Sequence, residues 1–380
     1  MIIVKMIQHK KIRLDSNMES KTNKHIPINK GHFDLDTPER IIEFQNKMST
    51  GWENSEYKKY RNAWKEYPKK RIIRDYPIQV DLELSSFCNL NCPMCYRRTK
   101  EFHTFVDESF MEYKLFKRII DEVANKVYAI RLSWRGESMM HPEFLNILQY
   151  VKQRGVKEVS FLTNASKLDM KTFQLIAEAG ADWITISADG IGDMYNTIRK
   201  PLLFNDTFQK IKDIAILKKQ HNLIKPVIKL QTIWPAIKDD PEVYYKTYAP
   251  YVDLIAFNPL IDYLGKDDET EIVYELDFIC PQLYQRIFVA SDGNVMMCNS
   301  DEYGQYIIGN AYEKSIHEIW HGSKLNEIRS IHKKNNGFKE LEICRRCFYP
   351  RKTKITEKTI VEGREIFIEN YINRKQIIGE

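Results

Sequence analysis

The sequence predicts an α/β fold: a partial (β/α)6 barrel followed by a small hairpin-plus-helix extension. Three observations carry this expectation. Six short strand-like runs fall between residues 78 and 258, most of them separated by helical patterns, which is the rhythm of βα units on a parallel sheet. Six units are too few to close the eight-stranded form of such barrels. After residue 280 the alternation stops, and a hairpin signal followed by a capped helix takes over.

Taken in order, residues 1–75 are polar and rich in Lys, Asn and aromatics. "LDTPERIIEFQNKM" starts a helix there, with Thr37 as N-cap, Pro38 at the first helical position and Glu39 in the first turn. A second helix is expected over 54–66, and no chemical motif stands out. The strand-like runs are "IQVDLELS" (78–85), "VYAIRLS" (127–133), "KEVSFLT" (157–163), "DWITISA" (182–188), "PVIKLQTI" (226–233) and "VDLIAFN" (252–258). Helical patterns lie at 108–125, 142–154, 169–179 and 206–220. "LYQRIFVASDGNVMMCN" reads as a hairpin turning at Asp292-Gly293, and Ser315 with Glu318 forms a capping box for a helix to about 333, broken at Gly322. This part is expected to be a separate module, with a strand and a helix after it. The chain thus divides into 1–75, a barrel over 76–275, an extension over 276–350 and a tail over 351–380.

Composition narrows the class. Hydrophobic residues make up 43% and aromatics 12% of the 380 residues, enough to build more than one small core. The net charge of +6 is spread along the chain, and the basic runs at 65–74 and 351–358 read first as solvated surface, with nucleic acid or an acidic membrane as the disfavoured partner. No stretch of about eighteen apolar residues is present, and "MIIVKMIQHKKIR" is too short and too charged for a signal peptide. A cytoplasmic protein is expected. The seven cysteines agree: the number is odd, and five sit in tight CxxxC or CxxC spacings that favour metal binding over disulfides.

Cys88, Cys92 and Cys95 form CxxxCxxC directly after the first barrel strand, at the strand ends where parallel barrels place chemistry. Chance predicts roughly 0.002 such triplets in a chain of this composition. Zinc would require a fourth ligand, and His103, the nearest candidate, lacks motif spacing. Three thiolates suit a [4Fe–4S] cluster with one iron left open to a ligand that is not protein.

"CNLNCPMC" in this setting resembles the radical S-adenosylmethionine (SAM) superfamily. The resemblance implies that SAM chelates the open iron and is cleaved by one electron to a 5′-deoxyadenosyl radical, which abstracts hydrogen from a substrate. Met94 stands where the family commonly has an aromatic residue, with Tyr96 just beyond Cys95. "SWRGES" is similar to the family's Gly-Gly-Glu motif with Arg135 in place of the first Gly, leaving Gly136 and Glu137 for the SAM amino group. "LTNAS" resembles its Thr-Asn-Gly turn, with Ala165 for Gly. "ISADG" resembles the segment whose serine, here Ser187, meets the ribose, and Arg199 stands where an arginine often binds the SAM carboxylate.

The remaining cysteines, Cys280, Cys298, Cys344 and Cys347, resemble the SPASM and twitch extensions of that superfamily, in particular the C-x(9–15)-G-x4-C opening and a distant CxxC. The resemblance implies one auxiliary [4Fe–4S] cluster on four thiolates, two clusters per chain in all. Four-thiolate zinc remains the alternative. Three plus four uses every cysteine, so no thiol is left to return a hydrogen atom to substrate. The pattern resembles the 2-deoxy-scyllo-inosamine dehydrogenase type, which implies oxidation of an alcohol on a sugar, cyclitol or amino sugar. The second electron would go to the auxiliary cluster, and a flavodoxin- or ferredoxin-type reductant would supply the first. Maturation of a ribosomally made peptide is the alternative, and a zinc-loaded nucleic-acid-binding protein the remote one. Asn258 and Asp262 are candidates for substrate contact from their place after the last strand.

Overall fold

The computed structural model describes residues 31–379; the segment read above against a signal peptide lies outside them. The strands in chain order are β1 (Phe33–Asp34), β2 (Gln79–Leu82), β3 (Ala129–Arg131), β4 (Glu158–Thr163), β5 (Trp183–Ser187), β6 (Val227–Ile233), β7 (Leu254–Asn258), β8 (Arg286–Val289), β9 (Asn294–Met296), β10 (Ile307–Asn310), β11 (Thr353–Val361) and β12 (Arg364–Tyr371). Ten of them share one sheet in the order β1-β7-β6-β5-β4-β3-β2-β8-β9-β10. Strands β2 to β7 are parallel in chain order, as six βα units require.

Alternation along these strands separates two environments. Val80, Ile130, Val159, Phe161, Ile184, Ile186, Ile228 and Leu230 are buried in the main core. Helices Tyr113–Val123, Phe144–Gln153 and Met170–Glu178 bring their apolar faces to that same core, for example Phe116, Ile120, Ile147 and Phe173. The opposite face is polar: Arg131, Glu158, Ser160, Lys229 and Asn258 line a cavity inside the barrel. Helices Pro38–Ser49 and Asn54–Lys70 contribute Phe44, Met48, Tyr60 and Trp64 to its wall. The first of these helices begins as expected, with Thr37 accepting from the Arg40 amide.

The extension is joined to the barrel, because β8 pairs in parallel with β2 and continues the barrel sheet. An open barrel leaves the edge of its first strand unpaired, and β8 satisfies it. The expected helix of the tail is corrected: among the described residues the tail contains none, and β11 and β12 form a hairpin turning at Glu362 and Gly363, both with positive φ. Period-two alternation in "TKITEKTIV" and "REIFIENY" favours that outcome. Short helices Lys100–Phe105, Gly192–Ile198 and Pro241–Tyr248 escape sequence reading. Among the described residues no helix is long and apolar enough to cross a membrane.

The hairpin turn at Asp292-Gly293 is present, with Gly293 at φ +84°. The capping box is formed in both directions: the Glu318 amide donates to Ser315 Oγ at 3.1 Å and the Ser315 amide to Glu318 Oε2 at 2.8 Å. Gly322 separates helix Ile316–Trp320 from helix Ser323–Lys333, as expected. Replacing Ser315 by Ala is expected to cost about 1 kcal/mol, read as a lower urea midpoint of the anaerobic holoprotein.

Candidate active site

The chain leaves β2 through Ser85, Ser86 and Phe87 into the cysteine loop. Cys88 and Cys95 are half-buried and Cys92 is buried, and none forms a disulfide. The Cys95 amide donates to the Cys92 carbonyl at 3.0 Å, turning the loop back on itself. Burial pushes the Cys95 thiol up to about 11, and the charges of Cys92 and Cys88 add to this. Cys92 is also raised, chiefly by burial, although the Arg199 guanidinium beside it works in the opposite direction.

Each later strand end touches this loop. A Cβ on Gly136 would run into the carbonyl oxygens of Ser85 and Phe87, so only glycine fits, and the Glu137 amide donates to the Phe87 carbonyl at 2.8 Å. The Glu137 carboxylate is buried and accepts from Thr163 Oγ1 at 2.8 Å, the Asn164 amide at 2.7 Å and the Met139 amide at 3.2 Å. Burial still leaves it above the usual carboxylate range. Asn164 Nδ2 donates to Asn89 Oδ1 at 2.9 Å and lies 3.9 Å from Cys88 Sγ. Ala165 adopts φ +63°, the left-handed conformation for which the family places glycine. Ser187 is buried at the end of β5, opposite Gln231. Arg199 Nη1 lies 3.7 Å from Cys92 Sγ, and Nη2 pairs with Asp189 at 2.5 Å. The Asp189 carboxylate is itself held by the Ile233 amide at 3.0 Å. Gly136, Glu137 and Arg199 are thus gathered around the first cysteine loop, with Ser187 two residues from the aspartate that holds Arg199.

Cys280, Cys298, Cys344 and Cys347 line one apolar cavity with Phe278, Leu283 and Met297. Burial pushes the Cys280 thiol up to about 12 and lifts Cys298 and Cys344 well above the ordinary value. His332, fully buried, lies 3.6 Å from Cys344 Sγ, and its Nδ1 accepts from the Cys280 amide at 3.4 Å. Tyr349 donates its amide to Cys347 Sγ at 3.4 Å.

The spacing of these thiols tests what they hold. Tetrahedral zinc with thiolates at about 2.3 Å places the sulfurs about 3.8 Å apart. Among the described residues the trio of His, Cys, Asp or Glu ligand atoms within 4.8 Å of one another is Asp75, His317 and His321 on the surface, so neither cysteine set is that tight. Buried thiols that disfavour charge fit a cationic centre, and this looser spacing agrees with a polynuclear one.

Fold and site therefore define an iron–sulfur protein with two centres, one at the strand ends of an open α/β barrel and one in a hairpin extension. Residues 82–235 match the radical SAM superfamily and residues 280–348 the SPASM iron–sulfur cluster-binding domain. The chain is a radical SAM protein with a SPASM/twitch-type extension, carrying the cysteines for a SAM-binding [4Fe–4S] cluster and an auxiliary one. It is 25% identical over 300 residues to the tungsten-containing aldehyde ferredoxin oxidoreductase cofactor-modifying protein of Pyrococcus furiosus, covering 66% of this chain and 83% of the relative. It is 24% identical to Fe-coproporphyrin III synthase of Methanosarcina barkeri, over 47% of this chain and 43% of that one. Its fold is similar to BtrN in complex with AdoMet and 2-DOIA, with TM-score 0.51 and 15% identity over 73% of this chain and 94% of that one. It is likewise similar to Streptococcus suis SuiB bound to S-adenosylmethionine, with TM-score 0.52 and 14% identity over 81% of each chain.

Several contacts lie beyond the motifs. Arg135 forms a bidentate pair with Glu83 at 2.7 and 2.6 Å, with side chains 3% and 0% exposed. Glu83 also accepts from the Ser291 amide at 3.0 Å, and Arg135 Nη1 donates to the Glu302 carbonyl at 3.2 Å. The departure from Gly-Gly-Glu at Arg135 was the available signal. Tyr96 meets Tyr263 edge-on at 5.5 Å between centroids, and the Tyr263 hydroxyl is pushed up by burial and by the charges of Glu302, Cys95 and Cys347 in turn, so this ring stands near both centres. Asn258 lines the barrel cavity. Asp262 does not; its carboxylate accepts from the Lys266 and Asp267 amides at 2.8 and 2.9 Å, capping its own loop. His103 packs its ring on Phe102.

Arg135→Ala leaves Glu83 charged and buried, and is expected to destabilise the holoprotein by about 3–5 kcal/mol in urea unfolding. Gly136→Ala is expected to displace the first cysteine loop, so that iron analysis shows loss at that centre while the auxiliary centre stays.

Proposed function

We propose that this protein is a radical SAM oxidoreductase acting on a small polar substrate held in the barrel cavity. The specific form of this reading is oxidation of a secondary alcohol, on a sugar, cyclitol or amino sugar, to a ketone. The allotment of thiols carries it: three at the strand ends, four in the extension and none among the cavity-lining residues. A cavity thiol would serve to return hydrogen to the substrate. The cavity wall instead includes Asn299, Phe348 and Tyr349, chain neighbours of the auxiliary ligands Cys298 and Cys347, which suits an electron acceptor there.

In this reading Glu137 accepts the SAM ammonium beside Gly136, Ser187 meets the ribose, and Arg199 exchanges part of its bond to Asp189 for the SAM carboxylate. When bound, SAM and its cluster supply the hydrogen-atom acceptor and the auxiliary cluster the electron acceptor, while the hydroxyl proton leaves to a base or water. A flavodoxin- or ferredoxin-type donor in the cytoplasm would supply the starting electron. The Pyrococcus furiosus relative is named for modifying a cofactor, and the BtrN structure holds 2-DOIA beside AdoMet, so a small organic substrate agrees with both.

Anaerobic protein given SAM and dithionite is expected to form 5′-deoxyadenosine and to carry about eight irons per chain. Cys88→Ala should reduce 5′-deoxyadenosine to background, whereas Cys280→Ala should keep its formation and lose ketone product. Nucleoside still produced by Cys88→Ala would sink the radical SAM reading, and a mass change on a peptide in place of a ketone would replace alcohol oxidation with peptide maturation.

A further inference from the structure

The barrel cavity is about 620 Å³, within the range of pockets for organic ligands of ordinary size. Its charges do not balance. Arg61, Lys65, Arg131, Lys229 and Arg286 line it, against Asp34 and Glu158. Asp81 adds a third carboxylate beside them, 3.7 Å from Arg286 Nη1, yet two cations remain in excess.

Arg131 is the centre of that excess. It sits in one layer with Asp81 and Ser160, its neighbours across β2 and β4. Among the described residues no hydrogen bond or ion pair holds its guanidinium. Arg135, four residues further on, shows the alternative: a bidentate carboxylate at 2.7 and 2.6 Å closes its fork. An arginine fork left open inside a protein is unfavourable unless something else solvates it. Lys229 likewise has no ion pair among the described residues. It is buried, and its Nζ donates to His32 Nε2 at 2.7 Å. His32 is held near 3 by burial and by the Lys229 charge, so this partner is neutral. Burial brings the Lys229 ammonium down to about 7, with Asp34 opposing the effect and Arg131 adding to it. Both cations would be relieved by one anion between them.

We propose that this chamber binds the oxyanion end, carboxylate or phosphate, of an elongated substrate, with Arg131 as the specificity-determining residue and Lys229 beside it. The proposal deepens the small-substrate reading above and rests on it. It also sets a length. Arg131 lies in the layer of Ser160 and Trp183, and Ser187 is four residues along β5 from Trp183. At about 3.3 Å per residue the anion would sit roughly 10 Å below the strand ends, once the reach of the arginine is allowed for. Helices Pro38–Ser49 and Asn54–Lys70 then serve as the floor of the substrate chamber, which gives the amino-terminal extension a role.

The test uses anaerobic holoprotein saturated with SAM, so that Arg199 is occupied, and titrates inorganic phosphate and malonate by calorimetry, with chloride at matched ionic strength as the blank. Saturable binding of either anion is expected, weakened about tenfold or more in Arg131→Gln and less in Arg131→Lys, as loss of a bidentate donor implies. Phosphate alone would indicate a phosphoryl substrate, malonate alone a carboxylate one, and both are supporting outcomes. Iron content and SAM affinity, measured on the same samples, report the fold of each variant. Should Arg131→Gln fail to assemble, Lys229→Gln is read in its place, with the same loss expected. No saturable binding to the wild type, or binding unchanged in an assembled Arg131→Gln variant, overturns the proposal. The radical SAM reading would survive either result, because it is tested separately by 5′-deoxyadenosine.

Discussion

One buried ion pair organises both halves of this protein. Glu83 stands just beyond β2, and Arg135 occupies the turn after β3. Removing two such charges from water is costly, and the cost is tolerated only where nearly every lone pair and N–H finds a partner. Here the remaining capacity of Glu83 goes to the Ser291 amide, and that of Arg135 to the Glu302 carbonyl. Those partners belong to the extension. The pair therefore joins the first barrel strand, the turn carrying Gly136 and Glu137, and the loops that present the auxiliary cysteines. With Arg135 anchored, Gly136 is pressed against the carbonyls of the first cysteine loop, an approach that a side chain would prevent.

A second constraint comes from the thiols themselves. Burial raises Cys92, Cys95 and the four extension thiols against ionisation, and neighbouring sulfurs add to the effect at Cys95, Cys280 and Cys298. Such sites are unfavourable as bare thiolates and become favourable when a cationic centre sits among them. Among the described residues neither set brings three sulfurs within 4.8 Å of one another, which agrees with a polynuclear centre. Weak donors complete the surroundings: Asn164 near Cys88, Arg199 near Cys92 and the Tyr349 amide at Cys347. Hydrogen bonds to cluster sulfurs and burial are two of the means by which a protein sets cluster potential.

The barrel interior follows from the same openness. A closed parallel barrel fills its centre with apolar layers. This one has Arg131, Glu158, Ser160 and Lys229 there, around a cavity floored by the two amino-terminal helices. A polar interior weakens the core and, in the function proposed above, leaves room for a substrate.

Local chemistry was enough for much of this. Periodicity identified the six parallel strands and their main helices, because each must bury an apolar face and the spacing records which one. Cysteine spacing marked the first centre, since ligands on one loop must be close in sequence, and the capping box at Ser315 was legible for the same reason. The auxiliary centre and Gly136 came from the resemblance to known motifs. What pairs across distance was not. The docking of β8 on β2, the match of Glu83 with Arg135, the Asp189 support of Arg199 and the open fork of Arg131 join residues that no local pattern connects. Tertiary structure alone decides them, because whether a buried charge is satisfied depends on which strands become neighbours.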